Sequence, residues 1–165
     1  MFPNFYIDNR EYKDDMLDCE AVDNFMFNRK FIFLGQGRHR RTYLSPNKRY
    51  VLKFARYKEY IGMNRFEHAV YKLYFNRPDD TNSGCYYAPC HLIDGHMLMM
   101  RAMTEIYGRT NGCDSARRIL GGENAPYGEE AMKELDLPNW LEQCFHDSAQ
   151  VGKLPNGKFV LYDYA

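Results

Sequence analysis

Residues 34–54, LGQGRHRRTYLSPNKRYVLKF, carry two glycines one residue apart, three arginines and a histidine between 38 and 41, and one lysine in an apolar run. Gly35 and Gly37 close a strand-like stretch, where backbone N–H groups can approach an anion because no Cβ stands in the way. The same pair suits an ordinary hairpin turn, so glycine spacing leaves both readings open. Lys53 narrows the choice. In the run Tyr50–Ala55, strand alternation puts Val51, Lys53 and Ala55 on one face. A lysine among small apolar neighbours either extends its ammonium from an edge or sits in a pocket against an acid or a phosphate. Glu67, on the segment that follows, is an available acid. Arg38, Arg40 and Arg41 also make a candidate nucleic-acid patch, but no aromatic stacking platform is evident beside them.

The elements that must position these groups follow from periodicity. Residues 11–27 place Leu17, Ala21 and Phe25 four apart with acids between them, which predicts an amphipathic helix with an acidic outer face. KFIFLG, RTYL and YVLKFA are short, β-branched or aromatic, and bounded by turn residues at Gly35–Arg41 and Ser45–Arg49. They predict three antiparallel strands. Residues 57–75 change to helical period, with Ile61, Phe66, Val70, Leu73 and Tyr74 as the expected apolar face. CHLI and HMLMMRAM flank Asp94-Gly95, a hairpin signal. The methionines of 97–103 are expected to fill core gaps. Helical pattern returns in GEEAMKEL and PNWLEQCF, and GKLPNGKFVLYDYA closes as strand, turn and strand. The fold class predicted is α+β: a five-stranded antiparallel sheet with one helix on it, then a short helical part and a terminal β-hairpin.

The whole chain bounds the rest. Its 165 residues suit one domain, and 45% hydrophobic with 16% aromatic residues supply a core. Lys+Arg and Asp+Glu are both 22, so overall charge does not recruit nucleic acid. Cys19, Cys85, Cys90, Cys113 and Cys144 are odd in number and include no CxxC, so free thiols are expected. Cys85 and Cys90, with His91 adjacent, read as core thiols rather than metal ligands. Charges interrupt residues 1–20 and no 18-residue apolar run occurs, from which a soluble, cytoplasmic protein without membrane contact is expected.

The order LGQGRHRRTYL, YVLKF, NRFE, MLMMRAM and FVLYDYA resembles the amino-terminal lobe of protein kinases, plus the piece that ends at their metal-binding motif. The resemblance covers roughly residues 30–103 and 140–165. It implies one domain over 1–165, with an N-terminal acidic helical extension at 1–29, an N-lobe at 30–103 and an abbreviated C-lobe at 104–165. In that family a glycine-rich loop covers ATP phosphates, a third-strand lysine holds the α- and β-phosphates, and a helix glutamate orients the lysine. The resemblance assigns these parts to Gly35 and Gly37, Lys53 and Glu67. It assigns adenine to the backbone of Met99–Met103, with Arg101 and Met103 at the nucleotide. ATP and Mg²⁺ are the implied ligands, with Asp163 as the metal-binding aspartate and Gln150 at the second metal position.

The departures from the family define two readings. Arg40 stands where the loop's third glycine belongs and would either cap a phosphate or obstruct one. Gln150 lies thirteen residues before Asp163, the family interval, yet five residues before Gln150 is Phe145. Asp147 is the acid of that stretch and serves as catalytic base only if the loop is shortened. Nothing after Asp163-Tyr164-Ala165 corresponds to an activation segment. The first reading is an ATP-binding kinase-like protein, either a weak serine/threonine protein kinase or a pseudokinase. Very short kinase-like chains resemble some bacterial effectors and phage products. The alternative is therefore a non-enzymatic inhibitor or adaptor acting in a host cytoplasm, which binds a protein through its acidic helix or basic loop. A protein substrate or partner is expected in both, nucleic acid in neither, and an abbreviated lobe leaves apolar surface that a second copy could cover.

Overall fold

The structure, a computed structural model, describes residues 12–75, 88–93, 97–105, 151–157 and 159–162. Among these, 12–70, 89–93 and 97–102 form one compact unit. Residues 71–75, 88, 103–105, 151–157 and 159–162 belong to a second.

The first unit begins with a hairpin that helical periodicity does not reveal. β1 (Tyr12–Lys13) pairs with β2 (Met16–Leu17) across Asp14 and Asp15, which have φ of 48° and 66°. Aspartate tolerates that left-handed region, so the pair makes a tight turn. The predicted helix over 11–27 is corrected accordingly: α1 runs Cys19–Asn28, capped by Asp18, whose carboxylate accepts from the Ala21 N–H at 3.1 Å. The buried positions of α1 are Val22 and Met26, not Ala21 and Phe25. At its end the Phe31 N–H donates to the Met26 carbonyl and the Lys30 N–H to Phe27, with Lys30 at φ 61°. That pattern reverses the chain into the sheet.

The sheet has β3 (Ile32–Gln36), β4 (Arg40–Leu44), β5 (Tyr50–Ala55), β6 (Cys90–Ile93) and β7 (Met97–Arg101), in the order β3-β4-β5-β7-β6. All pairs are antiparallel, as the turn signals predict. One face sends Tyr43, Leu52, Phe54, Met97 and Met99 into a core completed by Leu17, Val22 and Met26. α1 is thus part of the sheet's own core and not an extension appended to it. Asp23 reinforces the contact through a two-oxygen bond with Arg41 and a hydrogen bond from the Tyr43 hydroxyl. Burial foremost, then that bond to Asp23, raises the pKa of the Tyr43 hydroxyl.

On the other face lies α2 (Ile61–Phe75), entered through a 3-10 turn at Lys58–Tyr60. Its inward face also departs from the expectation. Asn64, Glu67, Val70 and Tyr71 are buried, whereas Phe66 and Leu73 are exposed. The second unit contains β8 (Thr104–Glu105), β9 (Val151–Lys153) and β10 (Phe159–Leu161), joined in a three-stranded antiparallel sheet. Gly152 in β9 lies beneath Met103, whose sulfur would stand 2.3 Å from a Cβ added there. Among the described residues no helix is long and apolar enough to cross a membrane.

If α1 belongs to the core, Met26→Ala costs roughly 2–5 kcal/mol in urea unfolding, while exposed Phe27→Ala stays within about 0.5 kcal/mol. A Met26→Ala cost below about 1 kcal/mol would mark the helix as an appendage.

Candidate functional site: a carboxylate shared by two cations

β5 and α2 meet at one buried carboxylate. Register pairs Thr42 with Lys53 and Arg40 with Ala55, so alternation turns Arg40, Thr42 and Lys53 to the same face. Lys53 Nζ stands 3.2 Å from Glu67 Oε1 and 3.5 Å from Oε2. Arg40 Nη1 donates to Glu67 Oε2 as well. Lys53 is 6% exposed, Arg40 8% and Glu67 0%. Three charges this deep persist only because each is paired. Asn64, one turn before Glu67, donates from Nδ2 to the Lys53 carbonyl at 3.2 Å, which ties α2 to the β5 backbone. Cys90 is buried beside them, its Sγ 4.0 Å from the Glu67 carbonyl, as expected for a core thiol.

Burial pushes the Lys53 ammonium down to about 8, against the upward pull of Glu67, and Arg40 adds to the depression. The folded value lies below the ordinary 10.5, so the stability Lys53 contributes is present above pH 10.5 and is lost as pH falls through about 8.

The hairpin bearing the two glycines is narrower than Gly35–Arg41. Gly35 and Gln36 are strand residues paired with Thr42 and Arg41, and the Gly37 N–H donates to the Arg40 carbonyl at 2.9 Å. Arg56 holds the tip from below: Nη1 donates to the carbonyls of Gly37 and Arg38 at 3.1 and 3.2 Å, and its N–H to that of His39. The His39 ring meets the edge of Tyr60 at 4.6 Å. Among the described residues only Gly157 is a glycine at positive φ. A Cβ at Gly35 would meet nothing within 4 Å, and one at Gly37 only the Arg40 carbonyl at 4.0 Å. Among the described residues, neither positive φ nor packing demands glycine at these two positions.

The other named residues fall as follows. Arg101 ends β7, its N–H donating to Pro89 and its guanidinium over Tyr50, while the Ala102 N–H donates to Arg49. Both amides are therefore spent within the protein, where the resemblance sends this backbone to adenine. Met103 lies in the second unit, over Gly152. Asp147, Gln150 and Asp163 lie outside the described residues, and among the described residues no group of three or more His, Cys, Asp or Glu could hold a metal. The arginine cluster is dispersed: Arg40 pairs with Glu67, Arg41 with Asp23, and Arg38 is exposed. Sequence reasoning missed Asn64, Arg56 and the pairing of Arg40 with Glu67. The usable signal for Arg40 was strand alternation across the hairpin.

No protein-family model and no curated protein sequence matches the chain. Among solved structures it is similar to the ternary complex of APH(2'')-IIa with streptomycin and ATP, at 18% identity over 63% of this chain and 36% of that one, TM-score 0.37. It is similar to the ADP-bound aminoglycoside phosphotransferase APH(2'')-Ib at 18% identity over 78% and 38%, TM-score 0.37. A kinase domain aligns at 21% identity over 55% and 32%, TM-score 0.36. The chain spans about a third of the length of each.

The first unit has the arrangement that the resemblance to a kinase amino-terminal lobe implies. That arrangement is three antiparallel strands, a helix, two more strands in one sheet, and a third-strand lysine paired with a helix glutamate.

The kinase-like pair has a titration signature. With ¹³C-methylated lysines, Lys53 is expected to titrate near 8; Glu67→Gln lowers the value further and Arg40→Ala raises it. A Lys53 titration near 10.5, indifferent to both substitutions, would contradict the shared-carboxylate geometry.

Proposed function

We propose that the chain is a kinase-like protein that binds ATP on the face of the sheet bearing Lys53. The observation that carries this reading is the buried Lys53–Glu67 pair. An ammonium held by a carboxylate at a fixed position on a strand is preorganised to meet phosphate oxygens, and binding then costs little side-chain ordering. Gly35 and Gly37 add support, because no packing among the described residues calls for their missing Cβ atoms and close approach of a phosphate would use them. When bound with Mg²⁺, the nucleotide would bring a transferable phosphoryl group. Asp163 and Gln150 are the residues the resemblance assigns to the metal, and Asp147 to the hydroxyl proton.

Binding is better supported than transfer. Transfer requires in-line geometry, metal and a proton acceptor together, and the residues the resemblance assigns to metal and proton lie outside the described residues. Two observations favour the alternative, a non-enzymatic inhibitor or adaptor on the same scaffold. Arg40 shares the carboxylate that the family reserves for its lysine, and the Gly37 N–H is spent on the Arg40 carbonyl. A protein substrate serves the first reading and a protein partner the second.

Thermal unfolding with and without Mg·ATP separates them. Ligand at a hundred times its Kd adds about 2.7 kcal/mol to wild type. Lys53→Ala keeps its fold, since Arg40 still pairs with Glu67, and loses that gain. A wild type indifferent to millimolar Mg·ATP would favour the non-enzymatic reading.

A further inference from the structure

The residue that follows β5 grips the tip of the glycine hairpin by its backbone. Arg56 Nη1 donates to the Gly37 carbonyl at 3.1 Å and to the Arg38 carbonyl at 3.2 Å, and the Arg56 N–H donates to the His39 carbonyl at 2.8 Å. Three consecutive carbonyls therefore face Arg56. Among the described residues no peptide bond is cis, and in a trans peptide the N–H points opposite to the neighbouring C=O. The N–H groups of Arg38 and His39 accordingly face away from Arg56, side by side. Among the described residues neither of these two amides donates a hydrogen bond, whereas the Gly37 N–H is spent on the Arg40 carbonyl. Successive amides turned the same way make an anion-binding concavity. A cation on their carbonyls polarises the peptides and strengthens the donors.

The support under the tip is itself fixed. The Arg56 carbonyl accepts from the Leu17 N–H at 2.7 Å, the Tyr12 hydroxyl donates to the Ala55 carbonyl at 2.8 Å, and the Lys58 N–H donates to the Asp15 carbonyl at 2.9 Å. The β1–β2 hairpin thus holds the backbone on both sides of Arg56. Those backbone bonds stand whatever side chain occupies position 56, so the hydrogen bonds of the guanidinium serve the tip. Building on the ATP-binding reading, we propose that Arg56 is a positioning residue of the nucleotide site, which holds the hairpin tip so that the Arg38 and His39 amides meet a phosphate.

The test titrates the ¹⁵N-labelled full chain with tripolyphosphate and, separately, with Mg·ATP. In wild type the amide signals of Arg38 and His39 are expected to move together with each ligand. Arg56→Met leaves core amides such as those of Leu52 and Met99 in place and binds both ligands roughly tenfold more weakly. At saturation its Lys53 amide still responds, while those of Arg38 and His39 no longer move together. Arg56→Lys, which keeps donors for both carbonyls, restores the joint movement. Weaker binding with wild-type shifts at saturation would reduce Arg56 to a general positive charge and overturn the proposal. So would wild-type affinity in Arg56→Met, or a wild type silent to both ligands. Tip amides that stay still while Lys53 responds to Mg·ATP would overturn the role of Arg56 and leave the ATP reading standing. Tip amides that move with tripolyphosphate, in a chain indifferent to Mg·ATP, would do the reverse.

Discussion

The carboxylate of Glu67 is the group on which the first unit depends. It is fully buried, and a bare carboxylate at that depth would cost several kcal/mol. Lys53 reaches it from the third long strand and Arg40 from the hairpin, so three elements are fixed by one side chain. Removing either cation leaves the other in place. Removing the carboxylate leaves two buried cations facing one another, so the arrangement tolerates loss at the strands far better than loss at the helix.

That asymmetry links fold and chemistry. A lysine used only for stability would be more simply replaced by an apolar residue, since buried pairs are often no more stable than well-packed hydrophobic ones. Holding an ammonium rigid on a strand, with its charge partly offset, instead suits a task that needs a cation at a fixed point. Arg56 beneath the hairpin tip and Asn64 on the β5 carbonyl add to the same rigidity. The glycine hairpin is therefore held closed by its own polar contacts.

Much of the sheet was legible from sequence, because alternation, Ser45–Arg49 and Asp94-Gly95 mark strands and turns locally. Lys53 and Glu67 could be paired from motif order alone. What sequence periodicity misplaced shares one cause, namely that the deciding partner is distant along the chain. On α2, Phe66 and Leu73 look like the inward face, but the sheet presents Lys53 and Arg40, and these draw Glu67 inside instead. On α1, Leu17 fits the helical spacing, yet two aspartates at positive φ turn the chain before it and place it in a strand against the core. Arg40 reads as a bulky replacement for a loop glycine until the ladder places it across from Ala55, facing the helix.

The most direct test of the central claim uses an ATP analogue whose terminal phosphate carries an acyl group. An amine next to that phosphate attacks the acyl carbon, the acyl–oxygen bond breaks, and ATP departs, leaving an amide on the lysine. Lys53, with its proton released near pH 8, is a competent nucleophile for that step. Peptide mapping after brief exposure should find the acyl group on Lys53, and excess ATP should prevent it. Labelling spread over exposed lysines such as Lys30 and Lys48, unaffected by ATP and sparing Lys53, would contradict the account.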